Sequence, residues 1–90
     1  MTRDDITRNL LAIFAKQFEI ENPGMDEDLR EAYEFDSIDA IELLREIELM
    51  LGDPLTRDEK ESAMTIRTFG QIVDYVEGLA KTRAQLGDAR

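Results

Sequence analysis

Histidine, cysteine and tryptophan are all absent from these 90 residues. Without cysteine there is no disulfide framework, no thiol nucleophile and no thiolate-held zinc or iron–sulfur site. Without histidine there is no Ser–His–Asp triad and no imidazole-ligated metal. Any thiol chemistry must therefore come from an attached group, and no metal site is expected. Nor does any apolar run approach the ~18–20 residues of a membrane span. Basic residues are few: 11 stand against 21 acidic ones, a net charge of −10. Nucleic acid phosphates would be repelled by such a surface, so no nucleic-acid partner is expected. The length suits one domain with a thin core, which leaves little room for a water-excluding catalytic cleft. An enzyme is not expected.

The acidic residues are concentrated in the middle of the chain. Between Glu19 and Asp53 there are 13 of them against Arg30 and Arg45, whereas the flanks carry 8 acidic and 9 basic residues. Taken alone, an acidic stretch is most often a solvated face. The opening Met1-Thr2-Arg3-Asp4-Asp5 is charged and has no apolar signal region, which predicts a cytoplasmic protein. Asp26-Glu27-Asp28 does not grow into an EF-hand loop, because the sixth-position Gly and the closing Glu are missing.

Helix-start chemistry occurs at Thr2-Arg3-Asp4-Asp5, Thr56-Arg57-Asp58-Glu59 and Thr68-Phe69-Gly70-Gln71. In each, a Thr hydroxyl and a polar side chain three residues on can satisfy orphan amides reciprocally. The first segment places Ile6, Leu10, Ile13, Phe14 and Phe18 on one helical face, until Pro23-Gly24 ends it. From Met25 to Asp36 the chain reads as a long acidic loop, pinned to the core by Leu29, Tyr33 and Phe35. A helix is predicted over Ser37–Leu51, stopped by Gly52 and Pro54, with Ile41, Leu43, Leu44, Ile47, Met50 and Leu51 on its apolar arc. Asp39, Glu42, Arg45 and Glu46 take the opposite arc, and Ile38 and Leu49 fall on that polar side. A short helix over Arg57–Ser62 and a last one from Thr68 to about Arg83 complete the reading. The last helix carries a stripe of Phe69, Ile72, Val73, Val76, Leu79 and Ala80. The predicted fold is all-α: a small four-helix bundle of three principal helices and one short one, with a long first loop. Residues 1–84 form the domain and 85–90 a flexible tail.

Asp36 and Ser37 both make good N-caps, and most Asp-Ser pairs before helices do nothing else. The run Phe35-Asp36-Ser37-Ile38-Asp39-Ala40-Ile41-Glu42-Leu43-Leu44 nevertheless resembles the Asp-Ser-Leu segment of the acyl carrier protein family. A second stretch, Ile66-Arg67-Thr68-Phe69-Gly70-Gln71-Ile72-Val73-Asp74-Tyr75-Val76, is similar to that family's last helix. The resemblance runs from Thr2 to about Leu79. It implies a carrier-type helical bundle in which Ser37 holds a covalent 4′-phosphopantetheine arm and Asp36 helps position the transferase with its coenzyme A. It further implies that Ile38 docks into partner enzymes, and that Asp39, Glu42 and Glu48 meet basic patches on them, with Glu46 on the same polar arc. The implied partners are a phosphopantetheinyl transferase and the acyl-activating or condensing enzymes of fatty acid, polyketide or related lipid synthesis. The carrier itself is expected to be a monomer.

The sequence departs from that family in places. Where the family usually has Gly two residues before the Asp-Ser pair, Tyr33-Glu34-Phe35 stands instead. If cargo slips between the helices, one of the bulky pair Tyr33 and Phe35 is expected to restrict its entrance or to move when it opens. Two other readings stay open: an aminoacyl or peptidyl carrier, sharing the fold and the Ser, and an unmodified acidic adapter that binds a partner helix in a groove.

Overall fold

A computed structural model describes the backbone of residues 1–88 and the side chains of residues 1–84. Within them lie five helices: α1 (Arg3–Phe18), α2 (Leu29–Tyr33), α3 (Ser37–Leu51), α4 (Arg57–Ala63) and α5 (Phe69–Asp88). The expected all-α bundle is present, with one helix more than the sequence indicates. α2 interrupts the stretch read as loop; the Asp28 carboxylate caps it by accepting from the Arg30 and Glu31 amides. α5 also runs past Arg83 to Asp88. Of the tail expected at 85–90, residues 89 and 90 lie outside the described residues.

The predicted caps hold. Thr2 with Asp5, and Thr56 with Glu59, form reciprocal capping boxes. Thr68 and Gln71 do the same, each accepting from the other's backbone N–H. α3 ends on Gly52, whose φ of 69° is the left-handed conformation that glycine adopts without a Cβ penalty.

One core joins the elements. Ile6, Leu10 and Phe14 of α1, Leu43, Leu44 and Ile47 of α3, and Phe69, Ile72, Val73, Val76 and Leu79 of α5 are buried, together with Leu29, Phe35 and Leu55 from shorter segments. All four phenylalanines of the chain meet here. Phe14 packs on Phe18, Phe35 and Phe69 with ring centroids 5.4, 5.7 and 5.2 Å apart, and Phe18 on Phe35 at 5.2 Å. Edge-on and offset pairs of this kind contribute about 0.5–1.5 kcal/mol each beyond area burial. Phe35 thereby locks the segment just before Ser37 to the centre of the molecule.

The first loop is also hydrogen-bonded to the α4–α5 connection. Leu29 N donates to the Arg67 carbonyl at 2.8 Å and Gly70 N to the Met25 carbonyl at 3.0 Å. A Cβ at Gly70 would stand 3.0 Å from that same Met25 oxygen, so any larger residue would have to push that backbone aside by a few tenths of an ångström. At the other end, Arg83 closes the α3–α4 connection onto α5. Its guanidinium reaches Asp53 at 2.8 Å, both carboxylate oxygens of Glu59 at 3.0 Å and the Pro54 carbonyl at 3.2 Å.

Candidate functional site

At the head of α3, Asp36 is the N-cap and Ser37 the first helical residue. Asp36 Oδ1 accepts from Asp39 N at 3.0 Å, and Asp39 Oδ2 accepts from Asp36 N at 3.1 Å. This box decides the choice between two capping candidates. Because Asp36 does the capping, Ser37 is left exposed, and its hydroxyl bonds to no described residue. That hydroxyl stands in the first turn of a 15-residue helix, where the helix dipole favours an attached anion by about 0.3–1 kcal/mol.

The other predicted site residues separate into two groups. Ile38 is 74% exposed and Glu42 is exposed on the same side, with Glu46 half-buried at its edge. Asp39 and Glu48, by contrast, have their carboxylates engaged inside the fold: Asp39 in the capping box and Glu48 through Oε2, which accepts from Leu55 N at 2.8 Å. Ile41, assigned by periodicity to the buried arc, is 58% exposed. The bundle is thin, so α3 buries a narrower stripe than the half-turn its apolar residues span. Ile38, Ile41, Arg45 and Leu49 therefore form a row along the outer surface at helical steps of three and four.

Beside Asp36 lies a narrow apolar cavity of about 30 Å³ between α2, α3, α4 and α5. This is space for little more than a water molecule or two. Phe35, Ala40, Leu43, Leu44 and Ile47 form one wall, and Ala63, Met64, Ile66, Ile72 and Tyr75 the other. Tyr75 is pinned there, its hydroxyl donating to the Glu59 carbonyl at 2.6 Å, and burial pushes its phenol up to about 12. Arg30 and Arg67 stand at the rim. Of the bulky pair Tyr33 and Phe35, one of which is expected at the entrance, Phe35 lines the cavity and Tyr33 does not. The Tyr33 hydroxyl instead donates to Glu27 Oε1 at 2.7 Å, which also accepts from Gly24 N. These two donors hold the Glu27 carboxyl below its ordinary range.

Sequence reasoning missed the cavity's far wall and its two arginines. Only the Ile66–Val76 match placed Ile66, Arg67, Ile72 and Tyr75 in a shared segment, with no sign that they face Ser37's neighbours. Among the described residues no group of acidic side chains is arranged to hold a metal ion, and no helix is long and apolar enough to cross a membrane.

A family model described as the phosphopantetheine attachment site matches residues 8–76. No curated protein and no solved structure matched the chain.

Proposed function

The chain belongs to the phosphopantetheine attachment family, the carrier domain of acyl carrier proteins, and from that premise we propose that Ser37 bears the 4′-phosphopantetheine and that the chain is an acyl shuttle. The observation that carries the assignment is the exposed Ser37 hydroxyl, bonded to no described residue, one residue after the Asp36 cap and next to an apolar cavity. Once bound, the arm supplies a thiol that holds cargo as a thioester.

The chain's own residues fit that group. Asp36 and Asp39 each accept from the other's backbone N–H, which leaves the Ser37 hydroxyl free. It would attack the pantetheine-side phosphorus of coenzyme A, the diphosphate breaking to release 3′-phosphoadenosine 5′-phosphate while the hydroxyl proton passes to a base of the transferase. The two facing cavity walls are mainly apolar, the charged Arg30, Asp36 and Arg67 being exposed, and no polar side chain is buried among the described residues, which favours an acyl over an aminoacyl cargo. Partners are met by the outer row Ile38, Ile41 and Leu49, flanked by Glu42 and Glu46. Exposed acids of this kind steer a basic partner and speed brief encounters without lengthening them. Because the family it belongs to carries the arm rather than acting on it, we read the chain as a carrier rather than an enzyme.

The test is intact mass after incubation with coenzyme A and a broad phosphopantetheinyl transferase. The wild-type chain should gain one arm, and Ser37→Ala should gain none while melting like the wild type, since Asp36 still caps α3. An arm on Ser37→Ala would sink the assignment; Ser62, the other serine, lies at the end of α4.

A further inference from the structure

Arg30 and Arg67 are anomalous in charge and in company. Arg30 is one of two basic residues between Glu19 and Asp53. Its backbone is fixed in α2, the N–H donating to Asp28 Oδ1 at 2.9 Å and the carbonyl accepting from Glu34 N at 3.0 Å. Arg67 is fixed just ahead of α5, its carbonyl accepting from Leu29 N at 2.8 Å and its N–H donating to Gln71 Oε1 at 2.7 Å. The Leu29–Arg67 bond and the Asp28–Thr68 bridge thus clamp the two backbones side by side.

Their guanidinium groups are not committed to the fold. Arg3, Arg8, Arg57 and Arg83 each have a carboxylate oxygen within 3.3 Å. Arg67 has one ion pair among the described residues, with Asp28 at 4.0 Å and solvent-exposed. Arg30 has none. Two rigidly based cations, each with five N–H donors, therefore stand on the rim of an apolar cavity that Asp36 also lines, one residue from the attachment serine.

We infer that Arg30 and Arg67 clamp the phosphopantetheine arm itself, donating to its phosphodiester and amide oxygens when cargo enters the cavity and so shielding the thioester from water. This rests on the attachment reading above. The arm is favoured over other anions because it is tethered beside the rim, at an effective concentration no free ligand matches. It also presents acceptors along its length, which suits two separated donor groups. A partner complementary to this acidic surface is basic and gains nothing from two arginines.

The experiment uses the whole chain as wild type, Arg30→Gln, Arg67→Gln, the double variant, and Arg45→Gln as an exposed arginine outside the cavity. Each is converted to the holo and octanoyl forms and checked by intact mass. Hydroxylamine cleavage of the octanoyl thioester should be about three- to tenfold faster in the double variant, the scale of one or two exposed charge-assisted hydrogen bonds. The single variants should fall between, and Arg45→Gln should match the wild type. The ³¹P shift of the octanoyl form should move in the Arg30 and Arg67 variants alone. Should the double variant melt early, the two single variants carry the comparison.

Equal cleavage rates and equal ³¹P shifts across the set would overturn the clamp while leaving Ser37 attachment standing. A wild-type chain that takes no arm would defeat both. Faster cleavage confined to a carboxylated cargo such as glutaryl, with octanoyl unchanged, would also overturn it, because the arginines would then be reading cargo.

Discussion

The two ends of α3 are held in opposite ways. At its far end, about 20 Å from Ser37 along the axis, Arg83 ties Asp53, Pro54 and Glu59 to α5 through four hydrogen bonds, with its own side chain and that of Glu59 half-buried. At the Ser37 end the same helix meets a small apolar gap, a rim of loosely engaged arginines and a row of exposed isoleucines. One end is closed by a side-chain ionic clasp, the other by packing and by the Leu29–Arg67 and Gly70–Met25 backbone hydrogen bonds. Packed apolar walls can part at a cost that an entering acyl chain offsets, by up to about 0.8 kcal/mol for each methylene it buries. A multidentate ionic clasp cannot part without stranding charge. If Ser37 bears the cargo as proposed, the Ser37 end is the one expected to part.

Ile47 offers the largest test of that contrast, being 1% exposed and part of the cavity wall. Ile47→Ala should cost about 2–4 kcal/mol in the unloaded protein, from lost burial and a residual void. A medium-chain acyl group should recover part of that loss by filling the space, which thermal melts across an acyl series would reveal. A deficit of the same size at every chain length would mean that cargo never enters between the helices.

Arg83→Ala comes next and probes the closed end. It should cost about 1–2 kcal/mol, a buried-pair loss reduced by partial solvent exposure of both partners. Loading at Ser37 should be unaffected. The Arg83 guanidinium holds the Glu59 carboxyl below its ordinary range, so the unfolded chain takes up that proton first as pH falls. The wild type therefore gains this stability above about pH 4.3–4.5 and loses it as pH drops through the lower folded value. In urea melts, Arg83→Ala should show a shallower loss on the acid side; parallel pH profiles would show that the clasp is not electrostatic.

Much of this was legible before the structure. The Thr caps, the Asp-Ser helix start and the Gly52 stop are local signals, readable within four residues, and α3 begins and ends where they put it. What the sequence concealed is long-range or short-lived. α2 has five residues and two apolar contacts a single turn apart, too few for a period to show. Ile41 was misplaced because the apolar arc of α3 is wider than the stripe that a thin bundle buries. The cavity rim depends on Leu29 pairing with Arg67, and the clasp on Arg83 finding Asp53. Neither pairing leaves a trace in spacing. The resemblance alone implies docking for Glu48, and its bond to Leu55 N crosses a turn that no periodicity describes.

Glu34 gives a smaller effect at the open end. It ends α2 at φ 56°, in the left-handed region, with its N–H donating to the Arg30 and Leu29 carbonyls. A Cβ there costs roughly 1–2 kcal/mol, and glycine returns part of the gain as unfolded-state entropy. Glu34→Gly should accordingly raise stability by about 0.5–1 kcal/mol in denaturant melts. A destabilised variant would mean that the Glu34 side chain, rather than its backbone, secures the approach to Ser37.

The subtlest expectation concerns encounter rather than stability. Reversing acids beside Ser37 is informative only where the carboxylate has no structural task. Asp39 is excluded because Asp36 N donates to it, and Glu48 because Leu55 N does. Glu42 and Glu46 remain, on the outer side of α3 and free of hydrogen bonds to described residues. Glu42→Lys with Glu46→Lys leaves the capping box, the core and the Arg83 clasp intact, so the melting temperature should barely move. Arm transfer at low salt should nevertheless slow about three- to tenfold, since steering by a few charges acts on association rate. The difference should fade at high salt, because exposed charges are screened over about 8–10 Å at physiological ionic strength. Stopped-flow or discontinuous loading assays at two salt concentrations measure both arms of this expectation. Equal loading rates at low salt would show that partners read the apolar row of Ile38, Ile41 and Leu49 and ignore the charges beside it.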